Sequence, residues 1–223
     1  MTTTVVLVHG AGHTAAIWEA TQAAMVATTL AVDVPGRASR PADLTRVTVA
    51  EAAASVAADV DAVTDDGIVL VGHSVAGTIL PSVAAGLGPR VSALVFVAGI
   101  AAREGVVPAD SFLGDRAEMA LAQLERWRTE HVGATLEVLD ARTGSSIDSL
   151  NFSTQPMSWA GVPADLERTM IRPTRDPIQP RELQAHFAEV CGASQVLDIE
   201  SGHTPAVDAP VELAALLDAI ALG

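Results

Sequence analysis

"IVLVGHSVAGTIL", residues 68–80, is an aliphatic run that passes into Gly72-His73-Ser74 and then into small and apolar residues. Such a stretch is either a buried strand that ends in a serine or a nucleophile elbow, with the serine on a sharp strand-to-helix turn. The elbow signature is G-x-S-x-G, whereas Ala76 stands two positions past Ser74 and glycine follows only at Gly77. The turn holds the serine in strained backbone, at a cost on the order of 1–3 kcal/mol. It also brings strand and helix so close that the residues two before and two after must be small. Gly72 and Ala76 both meet that demand, and on this reading Gly77 is incidental.

Working outward, apolar strand patterns alternate with alanine-rich helical ones. The strand candidates are 4–8 (TVVLV), 29–33 (TLAVD), 67–72 (GIVLVG), 91–98 (VSALVFVA), 168–173 (RTMIRP) and 195–200 (QVLDIE). Near-continuous aliphatic strands with helices between them predict an α/β fold with a mostly parallel, doubly wound sheet covered on both faces. Thr48 and Glu51 form a capping box before an alanine-rich helix, and Pro210 suits the start of the last helix. Pro81 is discordant, because it falls about two turns into a helix that begins at Ser74; either the helix bends there or its boundary lies elsewhere.

The chain is read as one domain, 1–223, with an insertion at about 101–160 that breaks the alternation. There Leu113, Ala117, Ala120, Leu121, Leu124 and Trp127 fall at helical spacing, followed by a strand candidate at 135–141 and a polar loop. An insertion built differently from the core, between two core strands, reads as a cap over an active site.

Thirteen basic against twenty-seven acidic residues give a net charge of −14. That field repels phosphate backbones and anionic lipid, so neither nucleic acid nor a membrane is an expected partner. All basic residues are arginine and tyrosine is absent. Schiff-base chemistry and any mechanism with a Tyr or Lys acid are thereby excluded. A single Cys191 allows neither an internal disulfide nor a CxxC metal site. The opening "MTTTVVLVHG" lacks the basic region of a signal peptide, and a cytoplasmic location is expected.

Two constellations compete. Gly10-x-Gly12-x-x-Ala15 follows a strand, with Asp33 about 20 residues on, as in a dinucleotide-binding fingerprint. A short-chain reductase would also need a Tyr-Lys pair, which this chain lacks. The other constellation is Ser74, Asp176 and His203, the required order of serine, acid and histidine. Asp176 and His203 both stand on proline-bounded loops just past strand candidates, at the sheet edge where α/β folds hold their sites. A serine needs a histidine base, and that histidine needs a carboxylate to fix its tautomer. Asp198 and Asp208 are competing acids, but Asp198 alternates within a strand and Asp208 is placed to cap the final helix. The backbone N–H groups of Ala11 and Val75 are the candidate oxyanion donors. His9 is read as bracing the Gly10 loop, His13 as lining the pocket, and His73 as structural. Trp127 and Trp159 could line the pocket or fill the core.

The blocks "VVLVHGAGHTAAIWE", "AVDVPGRASRP", "GHSVAG", "RVSALVFVAG", "RPTRDPIQPRELQ" and "SGHTPAVDAP" resemble, in order, those of small α/β-hydrolases. The nearest branch is that of plant methylesterases and hydroxynitrile lyases with their bacterial esterase-like relatives. The resemblance implies the α/β-hydrolase fold and assigns the triad acid to the aspartate of the "RD" block, Asp176. Hydroxynitrile lyases carry a threonine where this chain has Gly10 and a lysine where it has Thr204, which disfavours lyase chemistry. The expected activity is cofactor-free and metal-free hydrolysis of a small carboxylic ester, a methyl ester among the candidates. Non-hydrolytic use of the same triad (cyclisation, acyl transfer, perhydrolysis) and a ligand-binding receptor are the alternatives. The sequence leaves homo-oligomerisation open.

Overall fold

A computed structural model describes residues 3–37, 39–44, 46–65, 67–130 and 149–223, except the side chains at 123, 124 and 127–130. The six apolar runs form strands β1 (Thr3–Val8), β2 (Thr28–Val32), β3 (Gly67–His73), β4 (Val91–Val97), β5 (Glu167–Pro173) and β6 (Gln195–Ile199). They make one parallel sheet in the order β2-β1-β3-β4-β5-β6. The chain steps outward from β1 to β2, then returns past β1 to β3. The strand order therefore reverses beside β1, and α/β sheets open a crevice at the carboxyl end of such a point. Register aligns those ends: Val8 pairs with Gly72, His73 with Val97, and Pro173 with Ile199.

Alternation within the strands divides the core in two. Val6, Val8, Ile68, Leu70, Leu94, Phe96 and Met170 face one layer, and Val5, Leu7, Val69, Val71, Val95 and Ile171 face the other. The covering helices are α1 (Glu19–Ala24), α2 (Val49–Val63), α3 (Leu80–Leu87), α4 (Asp115–Glu130), α5 (Asn151–Thr154), α6 (Arg181–Val190), α7 (Pro205–Asp208) and α8 (Pro210–Leu222). α2, α3 and α6 cover the first layer, while Trp18 and α8 cover the second. Thr48 and Glu51 make a reciprocal capping box that starts α2.

Pro81 kinks nothing. Ser74–Thr78 is a 3-10 turn, and the α-helix proper begins at Leu80 with Pro81 in its first turn, where its missing N–H has no partner to lose.

Between β4 and β5, the segment read as an insertion at 101–160 holds, among its described residues, the 3-10 turn Pro108–Ser111, α4 and α5. The two described legs of this insertion pair through Gly105 N–H to Met157 O and Met157 N–H to Val106 O, both 2.9 Å. Asn151 Nδ2 donates to Val47 O at 2.8 Å, and Val49 N–H to Gln155 Oε1 at 3.0 Å, tying its base to the start of α2. The strand candidate at 135–141, His131 and the side chain of Trp127 lie outside the described residues. Among the described residues no helix is long and apolar enough to cross a membrane.

Candidate active site

Three loops leave the carboxyl edge of the sheet and meet. The first follows β3. Ser74 sits there at φ 53°, a conformation that costs a non-glycine residue free energy and marks strained turns. Its carbonyl accepts from Ile100 N–H at 2.9 Å, so the turn after β4 holds the elbow from below. A Cβ on Gly72 would lie 2.9 Å from Leu80 Cγ, which explains the small residue before the serine.

Gly77 is not incidental. A Cβ there would stand 2.5 Å from the carbonyl oxygen of Ile100 and 3.1 Å from its nitrogen. The tight approach expected at Ala76 is thus shared with the next position, because the segment runs as a 3-10 turn with about three residues per turn rather than an α-helix.

The second loop follows β5 and carries Asp176. Its Oδ1 accepts from the N–H groups of Ile178 (2.8 Å) and Gln179 (2.9 Å), which orients the carboxylate from within its own loop. Buried Gln184 on α6 clamps that loop, its Nε2 donating to Pro173 O at 3.0 Å and Gln179 O at 2.6 Å. The third loop follows β6 and carries His203. Gly202 N–H donates to Asp208 Oδ2 at 3.0 Å, and the His73 Nε2–H donates to the His203 carbonyl at 2.8 Å. Asp208 therefore braces this loop instead of capping the last helix, whose N-cap is Ala209.

The three side chains form one hydrogen-bonded chain. His203 Nδ1 lies 2.7 Å from Asp176 Oδ2, and His203 Nε2 lies 3.0 Å from Ser74 Oγ. A carboxylate only accepts, so Nδ1 bears the proton and the Nε2 lone pair accepts from the Ser74 hydroxyl. The Asp176 side chain is fully buried and that of His203 is 14 % exposed. The competing acid Asp198 points away, paired with Arg172 at 2.9 Å and Arg181 at 2.8 Å. These pairs hold its carboxyl below the usual range, the Arg181 bond leading.

The Gly10–Gly12 turn lies alongside the elbow, since a Cβ on Gly10 would be 2.6 Å from His73 Nδ1 and 3.2 Å from the His73 carbonyl. Ala11 directly follows Gly10, and Val75 lies two residues past His73. His9 braces the turn, Nδ1–H donating to Gly10 O at 2.9 Å while Nε2 accepts from Val34 N–H at 3.2 Å. Arg37, buried at 1 % exposure, donates from Nε to His13 O at 2.7 Å and holds the far side of the same turn. His13 is half-buried, with its ring 6.0 Å from that of His73.

Burial holds His73 well below the ordinary histidine range, with the neighbouring His203, His13 and His9 rings adding to it and the His203 carbonyl bond opposing. Burial likewise pushes the Cys191 thiol up to about 11.

Asp33 removes the dinucleotide reading. Its Oδ1 accepts from Ala15 N–H at 2.6 Å and its Oδ2 from the Ser39 hydroxyl, so the carboxylate is engaged within the protein. Trp159, at the end of the insertion, packs against the core with its ring 6.4 Å from that of Phe96. Its Nε1 donates to Ala102 O at 3.0 Å and Arg168 stands 4.6 Å over its ring. Among the described residues no group of three or more His, Cys, Asp or Glu is placed to hold a metal ion.

A parallel sheet with a strained serine at the end of β3, an acid on the loop after β5 and a histidine on the loop after β6 defines the class. The family profile described as the alpha/beta hydrolase family matches residues 5–216, and the chain belongs to that family. Its fold is shared with a pyrethroid hydrolase from Sphingobium faniae JZ-2 (TM-score 0.76, 20 % identity, 100 % of this chain and 98 % of that one). It is shared also with an extracellular alpha/beta-hydrolase from a Paenibacillus species (TM-score 0.80, 17 % identity, 96 % and 97 %). A third similar structure is polyneuridine aldehyde esterase (TM-score 0.71, 22 % identity, 99 % of each chain). No functionally curated sequence matches the chain.

Proposed function

We propose that this protein is a cofactor-free serine hydrolase that cleaves a small carboxylic ester, with a methyl ester among the candidate substrates. One observation carries the reading: the unbroken chain from Ser74 Oγ through His203 to buried Asp176, at 3.0 and 2.7 Å, on a serine held at φ 53°. The names of two proteins of similar fold, a pyrethroid hydrolase and polyneuridine aldehyde esterase, support a hydrolytic reading, the second of them hydrolysis of an ester.

In this mechanism Ser74 Oγ attacks the ester carbonyl carbon while His203 Nε2 takes its proton. Asp176 keeps His203 in the Nδ1–H tautomer and stabilises the imidazolium that forms. The N–H groups of Ala11 and Val75 receive the oxyanion, a contribution of about 3 kcal/mol for each donor. The imidazolium returns its proton to the alkoxide, the alcohol departs, and Ser74 is left acylated. Water then attacks the acyl carbon as His203 takes its proton, and His203 passes that proton to Ser74 Oγ as the acid leaves. The base must be neutral at each attack, so activity requires deprotonated His203. The net charge of −14 favours uncharged or cationic substrates.

Release of p-nitrophenol from a short-chain p-nitrophenyl ester, wild type against Ser74→Ala, tests the reading. Loss in the variant is expected; equal rates in both, or none in either, contradict it.

A further inference from the structure

His73 touches the serine loop, the His203 loop and the Gly10 turn. It is the last residue of β3 and directly precedes Ser74. Its Nε2–H donates to the carbonyl of His203 at 2.8 Å, and its Nδ1 lies where a side chain on Gly10 would begin, 2.6 Å from an ideal Cβ. The ring is 1 % exposed, edge-on to Trp18 at 6.5 Å and 5.2 Å from the His203 ring.

The two ring nitrogens differ in a telling way. Nε2 is bonded, while Nδ1 is buried and has no hydrogen-bond partner among the described residues. A buried polar atom without a partner is unfavourable, and a phenyl ring would fill the same space without it. Packing alone therefore does not account for an imidazole here. What the imidazole adds is a single donor aimed at the backbone of His203. With the Asp208 bond to Gly202 N–H, that donor holds the backbone on both sides of the His203 side chain.

We propose that His73 is the positioning residue for His203, holding its backbone so that the ring spans Ser74 and Asp176, and that Gly10 is bare because this imidazole occupies its side-chain space. The proposal rests on the reading of His203 as the base. A base displaced by about an ångström loses on the order of 10²-fold in rate, which sets the expected scale.

The test is steady-state hydrolysis of p-nitrophenyl acetate by wild type, His73→Phe, His73→Gln and Ser74→Ala, with the melting temperature of each. His73→Phe keeps the ring shape without the donor and is expected to lower kcat roughly 10- to 100-fold with KM within about twofold. His73→Gln places an amide N–H near the Nε2 position and should restore most of kcat. The downfield proton resonance of His203 Nδ1–H should broaden or move in the Phe variant and return in the Gln variant. Should His73→Phe not fold, His73→Asn replaces it, because its shorter amide reaches only the Nδ1 position; it should be as slow as Phe is expected to be. Wild-type kcat in the Phe or Asn variant overturns the proposal. So does a loss in His73→Gln equal to that in Phe or Asn, tracking melting temperature alone. Wild-type rates in Ser74→Ala would overturn the underlying reading of the site, an outcome distinct from either of these.

Discussion

A methyl group on Gly77 would lie 2.5 Å from the carbonyl oxygen of Ile100, whose own N–H holds the carbonyl of Ser74 at 2.9 Å. One residue thus sets both the close approach at Gly77 and the height of the serine. Gly77→Ala must push Ile100 away and the elbow with it. A loss of about 1–3 kcal/mol in stability is expected, as for other overpacked sites, together with a lower kcat. Ala76→Gly, at the signature position, should leave the kcat of the enzyme within about twofold. Urea midpoints and kcat of the two variants decide the point; a silent Gly77→Ala would contradict it.

Asp176 and Asp198 can be separated by the same conservative change. Asp176→Asn keeps the shape but leaves His203 free to take the wrong tautomer, and kcat should fall by about 10⁴-fold. Asp198→Asn removes only surface ion pairs to Arg172 and Arg181, each worth about 1 kcal/mol or less, and kcat should hold. The reverse pattern would move the acid to β6.

The buried imidazole of His73 has a consequence for stability. Its folded-state pKa is depressed, burial being the main cause, so on acidification the unfolded chain takes the proton first. Above the ordinary histidine value of about 6.5 this group costs nothing, and below it stability falls by up to about 1.4 kcal/mol per pH unit until the depressed folded value is reached. Urea unfolding at about pH 7.5 and about pH 5.5 should show a larger acid loss in wild type than in His73→Gln, while carboxylate contributions cancel in the comparison. Equal losses would mean that His73 is not buried neutral.

Cys191 is 1 % exposed with its thiol pushed up to about 11. It should therefore resist an aromatic disulfide reagent at about pH 8 and react fully once the chain is unfolded. Rapid reaction of the native protein would contradict the packing of α6 against the sheet.

All six strands were legible because each is a short β-branched run closed by Gly, Pro or a polar residue, and the order of Ser74, Asp176 and His203 followed from the loops that succeed β3, β5 and β6. Contacts between distant segments were not legible. Nothing local says that Ile100 will press on Gly77, that Gln184 will clamp the loop of Asp176, or that Asp208 will turn back to Gly202 rather than cap α8. Of the two readings of Pro81, a bent helix or a different boundary, the second holds: the elbow runs first as a 3-10 turn, which shifts the start of α3 to Leu80. Asp33 matched a nucleotide fingerprint by spacing, while its carboxylate caps the turn at Ala15.

Covalent labelling tests the central claim most directly. The protein is treated with a fluorophosphonate, digested, and the modified residue located by mass spectrometry, in wild type and in His203→Ala. Stoichiometric modification confined to Ser74, and slowed by orders of magnitude when His203 is removed, is the result this account requires. Labelling at another residue, or at an equal rate without His203, would contradict it.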